Sequence, residues 1–254
     1  MRFAVIIPAR YASQRLPGKP LADLLGKPLI AHVCACARQS GAQRVIVATD
    51  DLRIHDACCA AGVTVEMTSA AHTSGTDRIA EVVRRLDWDD GEIVVNLQGD
   101  EPLMPGGAIR QVAALLDSRE DACMATLCTP IHGLGEFLNP DVTKVVVDQE
   151  GNALYFSRAP LPWNRDGAAA GLISQQQWHG ALRHIGLYAY RAGTLRQLAA
   201  TPPCELEQLE KLEQLRALWL GMKIAVDVAR EMPGPSVDTP EDLQRVASLL
   251  HADR

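Results

Sequence analysis

The chain has 254 residues, a formal net charge of −6, 47% hydrophobic residues and only 4% aromatic ones. That length fits one large domain or a domain with a sizeable insertion, and the apolar content is enough for a core. A net-acidic chain without a broad basic stripe argues against nucleic acid as the main ligand, and no stretch approaches the roughly 18 apolar residues of a membrane span. The first apolar run is too short for a signal peptide, so a cytoplasmic protein is expected. Seven cysteines without a CxxC pair fit neither a disulfide framework nor a zinc site, and reduced thiols are expected. The seven histidines show no metal-binding spacing.

In chain order, residues 3–7 form a short apolar run that reads as a strand buried on both faces. A helix over about 28–40 ends at Gly41, and 44–50 reads as a second strand. A helix near 52–61 stops at Gly62, and 63–67 reads as strand three. Residues 76–86 place Ile79, Val82, Val83 and Leu86 at the helical period, with Ser74 or Thr76 as the cap. A strand at 92–97, a helix over 105–117 and a strand near 122–126 follow. This βα alternation predicts a parallel, doubly wound α/β sheet with right-handed crossovers.

The pattern then changes. Residues 142–148 and 153–156, joined by a turn at 150–152, read as a hairpin. Residues 158–183 have little periodicity, and loops of that length are usually functional or mobile. A strand at 185–190, helices near 194–200 and 205–220, a strand near 223–228 and a helix from Pro240 complete the chain. Approximately residues 130–190 read as an insertion in an α/β core.

Chemistry concentrates in two places. The segment after the first strand carries Arg10, Arg15 and Lys19, and the first carboxylate after it is Asp23. Ligands of open α/β sheets bind at the carboxyl ends of the strands, and guanidinium forks with a lysine point charge suit phosphate oxygens. The segment is therefore either a polyphosphate-binding loop or a solvated basic loop. The strand at 92–97 runs into Gln98, Gly99 and Asp100, so that Asp100 stands at the same sheet edge. It is either a turn aspartate or a ligand for Mg²⁺, which takes one or two carboxylates plus substrate phosphates. Neither GxxxxGK[ST] nor GxGxxG occurs.

PARYASQRLPGKPL (8–21) and NLQGDEP (96–102) together resemble the signature of sugar nucleotidylyltransferases that use CTP. HTSGTDR (72–78), YFSRAPLPW (155–163), RHIGLY (183–188), LEQLRALW (212–219) and VDTPEDL (237–243) follow in the family's order. Of these, YFSRAPLPW, RHIGLY and the LEQLR segment favour the branch that activates 3-deoxy-manno-octulosonate (Kdo) over the branch for sialic acid or a related acid. The resemblance implies a single Rossmann-like nucleotidyltransferase domain over 1–254 with a mixed, mainly parallel central sheet and a small inserted subdomain. It also implies transfer of the cytidylyl group of CTP to Kdo for lipopolysaccharide biosynthesis, a Mg²⁺ cofactor, and a homodimer formed through the insertion. Residues 142–147 and 185–190 are the expected interface material.

By the same resemblance, Arg10, Arg15, Lys19 and Asp100 are catalytic. Ala9, Ser13, Ser74, Gly75 and Gln98 join the three cations in holding the nucleotide. Arg78, Gln98, Arg158, His184, Tyr188, Glu213 and Gln214 are assigned to the sugar, Arg158 being either a sugar-binding cation or, if it pairs with a nearby Asp, a structural one, and His184 a hydrogen-bonding group. Asp100 and Asp238 are the metal carboxylates. On residue chemistry alone Asp238 reads equally as the N-cap of the helix at Pro240. Asp227 is either a further polar group near the metal or a surface residue. A nucleotide-binding regulatory protein is the rival of another class; it would have lost the metal carboxylates, whereas both are present.

Overall fold

The apolar run at the N-terminus forms strand β1 (Phe3–Ala9) in the computed structural model, which describes residues 1–12, 15–72, 74–167 and 175–252. Its side chains alternate between two cores. Phe3, Val5, Ile7 and Ala9 enter one, Ala4 and Ile6 the other, the period-two pattern of a strand covered on both faces. After a small hairpin of β2 (Asp23–Leu24) and β3 (Lys27–Pro28), helix α1 (Leu29–Gln39) crosses to β4 (Arg44–Thr49). Helix α2 (Leu52–Ala60) leads to β5 (Thr64–Met67), and α3 (Gly75–Arg85) to β6 (Ile93–Asn96). Ser74 caps α3 by accepting the Asp77 N–H at 3.1 Å, which decides between the two caps expected there.

Helix α4 (Gly106–Asp117) precedes β7 (Met124–Pro130), which runs past the expected end at 126, and a short helix α5 (Leu134–Leu138) that the sequence reading did not foresee. The expected hairpin forms as β8 (Lys144–Val147) and β9 (Ala153–Ser157). Strand β10 (Leu182–Arg191) is longer than expected and central. It runs antiparallel between β6 and β7, and β8 pairs with its first residues. Helices α6 (Ala192–Ala200), α7 (Glu205–Glu210) and α8 (Gln214–Trp219), strand β11 (Ile224–Val228) and helix α9 (Pro240–Ala252) complete the chain.

The main path of the sheet is β11-β7-β10-β6-β1-β4-β5, with the β8–β9 hairpin attached beside β10. All of its pairings are parallel except the two made by β10. The architecture is thus α/β with a mixed, mainly parallel sheet, as expected. Helices α1, α2 and α4 bury Val33, Ile54 and Ile109 against one face; α3, α6 and α8 bury Ile79, Leu195 and Leu215 against the other.

One expected helix is two. Residues 205–220 break at Lys211, whose φ of 54° is left-handed. The Lys211 N–H returns to the Glu207 carbonyl, and Leu212 N–H donates to the same oxygen at 3.3 Å, the closure of a helix C-terminus. The break is held by Arg216, whose Nε lies 2.7 Å from Glu207 Oε2 while Nη1 donates to the Leu198 and Thr201 carbonyls at 2.9 and 3.0 Å. Both side chains are under 10% exposed. Removing one partner of a buried pair strands the other charge, at a cost of about 3–5 kcal/mol. Arg216→Ala is therefore expected to lower the urea midpoint substantially without changing the m-value, while Lys211→Ala should move it little.

Candidate active site

A cavity of about 870 Å³ opens at the carboxyl ends of β1 and β6. Pro8, Ala9, Arg10, Ala12, Arg15 and Lys19 form one wall, and Ser74, Gly75, Gln98, Asp100, Glu213 and Asp238 lie across from it. The loops approach closely because glycines allow it. A Cβ on Gly99 would stand 3.0 Å from the Pro8 carbonyl oxygen, and one on Gly75 would stand 3.2 Å from Pro8 Cγ. Gly18 has φ +69° and its N–H donates to the Tyr11 carbonyl at 3.2 Å, turning the chain back so that Lys19 faces the cavity. Arg10 is exposed and has no ion-pair partner among the described residues, a free cation at the cavity wall. Ser13 lies outside the described residues.

Lys19, Asp100 and Asp238 meet although 219 residues separate the first from the last. Lys19 Nζ stands 2.7 Å from Asp100 Oδ2 and 3.0 Å from Asp238 Oδ1, and Arg15 Nη2 reaches the same Asp238 oxygen at 2.9 Å. Burial pulls the Lys19 pKa down, but the two carboxylates outweigh it and the net shift is upward. The Val237 N–H donates to the Asp100 carbonyl at 2.9 Å and fixes the two aspartates side by side. Asp238 is not the cap of α9. Thr239 Oγ1 accepts the Asp242 N–H at 3.2 Å, and Asp242 Oδ2 accepts the Thr239 N–H at 3.1 Å, a reciprocal capping box. The Asp238 carboxylate is left to face the cavity.

Two carboxylates that both reach one ammonium are a donor set that fits Mg²⁺, which keeps waters and takes phosphate oxygens for its remaining positions. No group of three or more His, Cys, Asp or Glu among the described residues is arranged to hold a metal ion. Next to the pair, burial and then the repulsion of Asp100 and Asp238 push Glu101 up to about 7.

The residues assigned to the sugar divide. Arg78, Gln98 and Glu213 line the cavity. Arg78 is almost buried, paired with Asp50 at 3.2 Å and donating to Thr68 Oγ1. Gln98 is held by its amide at 3.2 Å from Asn96 Oδ1. Glu213 accepts the Thr76 hydroxyl at 2.6 Å; burial raises its pKa against that hydrogen bond. Gln214 opens on an adjoining crevice with Thr76, Tyr190 and Glu213, and its Nε2 is buried without a partner. Tyr188 and His184 stand on β10 with ring centroids 5.1 Å apart and do not line the cavity, and the Tyr188 hydroxyl is likewise buried and unpaired. A second cavity of about 700 Å³ shares Ser74 and Glu213 with the first.

Arg158 does not line the cavity. Its Nε donates to the Glu210 carbonyl at 2.7 Å and Nη1 to the Pro140 carbonyl at 3.0 Å, while its own N–H is taken by Glu210 Oε2 at 2.9 Å. The side chain clasps the end of α7, where two backbone carbonyls take its Nε and Nη1 donors and leave its positive charge without a paired carboxylate among the described residues. Asp227 also lies elsewhere, accepting from Gln111 Nε2 at 2.8 Å.

His184 has a hydrogen-bonding place. Thr126 Oγ1 lies 2.8 Å from the Leu187 carbonyl and 3.0 Å from His184 Nε2. The single hydroxyl proton goes to the carbonyl, so the imidazole donates from Nε2. Burial pushes its pKa down to about 3. The unfolded chain, with the ordinary histidine value near 6.5, then binds more protons than the native one between those values, and stability falls as pH falls. Because the ring is only half-buried, the loss from pH 7 to pH 5 should be about 1–2 kcal/mol. His184→Gln is expected to flatten that part of the urea-midpoint profile; an unchanged slope would rule this origin out.

His72 lines the cavity and was not among the expected site residues, although it opens a recognised motif. Its Nε2 stands 2.5 Å from Glu81 Oε2, which also accepts the Ser69 N–H at 2.9 Å. Only the fold brings Glu81 behind it, nine residues along.

The family model described as Cytidylyltransferase matches residues 4–224. The chain is 58% identical over 251 residues to the 3-deoxy-manno-octulosonate cytidylyltransferase of Alkalilimnicola ehrlichii, covering 98% of this chain and 96% of that protein. It is 54% identical to the enzyme of the same name from Halorhodospira halophila, covering 99% and 98%. Among solved structures it is similar to CMP:2-keto-3-deoxy-manno-octonic acid synthetase complexed with CTP, with 40% identity, a TM-score of 0.89 and full coverage of both chains. 4-Diphosphocytidyl-2C-methyl-D-erythritol synthase shares the fold at 13% identity, with a TM-score of 0.64 and coverage of 98% of each chain.

Proposed function

This chain belongs to the cytidylyltransferase family, and from that premise we propose that it transfers the cytidylyl group of CTP to Kdo, giving CMP-Kdo and pyrophosphate. The observation that carries the reading is the meeting of a basic loop with a carboxylate pair in one cavity, Lys19 within 3.0 Å of both Asp100 and Asp238. Full-length relatives at 54–58% identity that carry this activity in their names support the choice of acceptor.

In this reading Arg10, Arg15 and Lys19 bind the triphosphate and take up charge on the leaving pyrophosphate. Ala9, Ser13, Ser74, Gly75 and Gln98 hold the rest of the nucleotide. The anomeric hydroxyl of the sugar acid forms a bond to the α-phosphorus as the bond to the β-phosphate breaks, so the protein needs no nucleophile of its own. Asp100 and Asp238 would hold Mg²⁺, which when bound screens charge between phosphate oxygens. Glu213 at the cavity and Gln214 in the adjoining crevice, its Nε2 unpaired, offer polar groups for the hydroxyls of the sugar, and the unpaired Tyr188 hydroxyl, buried outside the cavity, would join them only if the pocket rearranges on binding. Arg78 and His184 flank that set.

We also place the protein in the cytoplasm, at the activation step of lipopolysaccharide biosynthesis, and as a homodimer. None of the described helices is long and apolar enough to cross a membrane. Of the expected interface strand at 185–190, Tyr188, Ala189 and Tyr190 are paired on both edges, to β6 and β7, and offer no free strand edge. The β8–β9 hairpin, with Leu154 60% exposed, is the better candidate, and a monomer mass by sedimentation at micromolar concentration would count against it.

Pyrophosphate release with CTP and Mg²⁺ tests the central reading, comparing Kdo, sialic acid and no acceptor, with EDTA as control. Release with Kdo alone is expected; release with sialic acid alone would discard the acceptor, and none with either would discard the activity. Arg15→Ala removes a charge-assisted contact of about 1.5–3 kcal/mol. Its KM for CTP is expected to rise roughly 10- to 100-fold, and an unchanged KM would remove Arg15 from the triphosphate site.

A further inference from the structure

The two residues on either side of Tyr11, Arg10 and Ala12, line the cavity, but Tyr11 does not. Its ring turns the other way, to the start of α2, where the Arg53 guanidinium carbon stands 3.4 Å from the ring centroid. Arg53 is itself fixed. Its Nε and Nη2 form a fork on Asp51, at 3.0 Å to Oδ1 and 2.6 Å to Oδ2. Asp51 is fixed in turn as the N-cap of α2, accepting the Arg53 N–H at 2.9 Å. On the loop side, Tyr11 accepts the Gly18 N–H, and the ring packs so closely on Gly18 that a Cβ there would stand 3.1 Å from it. Tyr11, next to Arg10, therefore ties both ends of the segment bearing Arg15 to one helix cap. Arg53 is 58% exposed at its side chain and does not reach the cavity.

We infer that Arg53, held by Asp51 and stacked on Tyr11, is a positioning residue that sets the basic loop for the nucleotide's triphosphate. The inference rests on the reading of that loop as the triphosphate site. A guanidinium over an aromatic face is an attractive contact even where water reaches it, and its planar fork on Asp51 fixes the angle at which the ring is met. Losing it frees the loop, so the cost falls on nucleotide capture. The chemical step, once CTP is bound, is unaffected.

The test is steady-state kinetics with CTP and Kdo, together with CTP affinity by calorimetry without the sugar. Arg53→Ala keeps the Asp51 cap and is expected to raise the KM and Kd for CTP about fivefold, with kcat and the KM for Kdo within about twofold. Tyr11→Leu should give a similar rise, and the double variant should be no worse than about twofold beyond either single one, since both remove one contact. Arg53→Lys keeps the charge but not the fork and should recover only part of the loss. Full recovery by lysine would assign the effect to net charge and overturn the inference. So would an unchanged KM for CTP in Arg53→Ala where Arg15→Ala raises it, or a double variant showing the product of the two single effects. If Arg15→Ala also leaves the KM unchanged, the triphosphate reading falls, and the positioning role with it. A thermal midpoint within a few degrees of wild type keeps a folding defect from imitating the result.

Discussion

Asp100→Asn should slow turnover roughly 10³-fold while leaving the protein folded. The side chain is about 29% exposed and its contact within the protein is the Lys19 ammonium at 2.7 Å. Asparagine keeps the shape and one acceptor oxygen, so a shift of only about 1 kcal/mol in stability is expected. The catalytic cost is of another order. A metal held between carboxylate and phosphate contributes several kcal/mol of charge stabilisation in the transition state, and losing about 4 kcal/mol slows the reaction roughly 10³-fold. The measurement is kcat at saturating CTP over a Mg²⁺ titration, beside a urea melt. A fall of that size with an unchanged melt supports Asp100 as metal ligand. Wild-type turnover at ordinary Mg²⁺ would remove it from the site and leave the turn-aspartate reading.

What the sequence disclosed about this site follows from how local each feature is. The β1 strand and its basic loop are contiguous, so apolar run and cation spacing show them directly, as does the Gly99–Asp100 turn after β6. Asp238 stayed ambiguous because capping and metal binding ask for the same residue type; only the Thr239–Asp242 box frees it. The break between α7 and α8 left no mark, since Lys211 adopts a left-handed conformation without being glycine or asparagine. That break governs where Glu213 and Gln214 point, so the sugar side was the least legible part. Arg158 reads from the sequence as an unpaired charge in an apolar setting; the backbone carbonyls of Pro140 and Glu210 take two of its donors, and carbonyl partners carry no sequence signal. The pairing of His72 with Glu81 was hidden for a similar reason.

Lys19→Met separates two roles that the geometry gives one ammonium. Lys19 neutralises both Asp100 and Asp238, and its raised pKa keeps it charged throughout the neutral range. It therefore competes with any divalent cation for those oxygens. Methionine fills a similar volume without the charge and leaves two carboxylates beside each other with Arg15, 67% exposed, as the remaining cation on Asp238. Binding of Mn²⁺ without nucleotide, read by electron paramagnetic resonance, should then tighten by about tenfold, the effect of one opposing charge worth roughly 1.4 kcal/mol. Turnover should move the other way. In the proposed triphosphate role the ammonium bonds phosphate oxygens, and removing such a preorganised donor costs about 10²–10³ in kcat. Tighter metal binding together with slower catalysis is a combination that simple damage to the site does not produce. Weaker metal binding in Lys19→Met would show that Lys19 organises the carboxylate pair and does not compete for it, and unimpaired turnover would take Lys19 out of the phosphate site altogether.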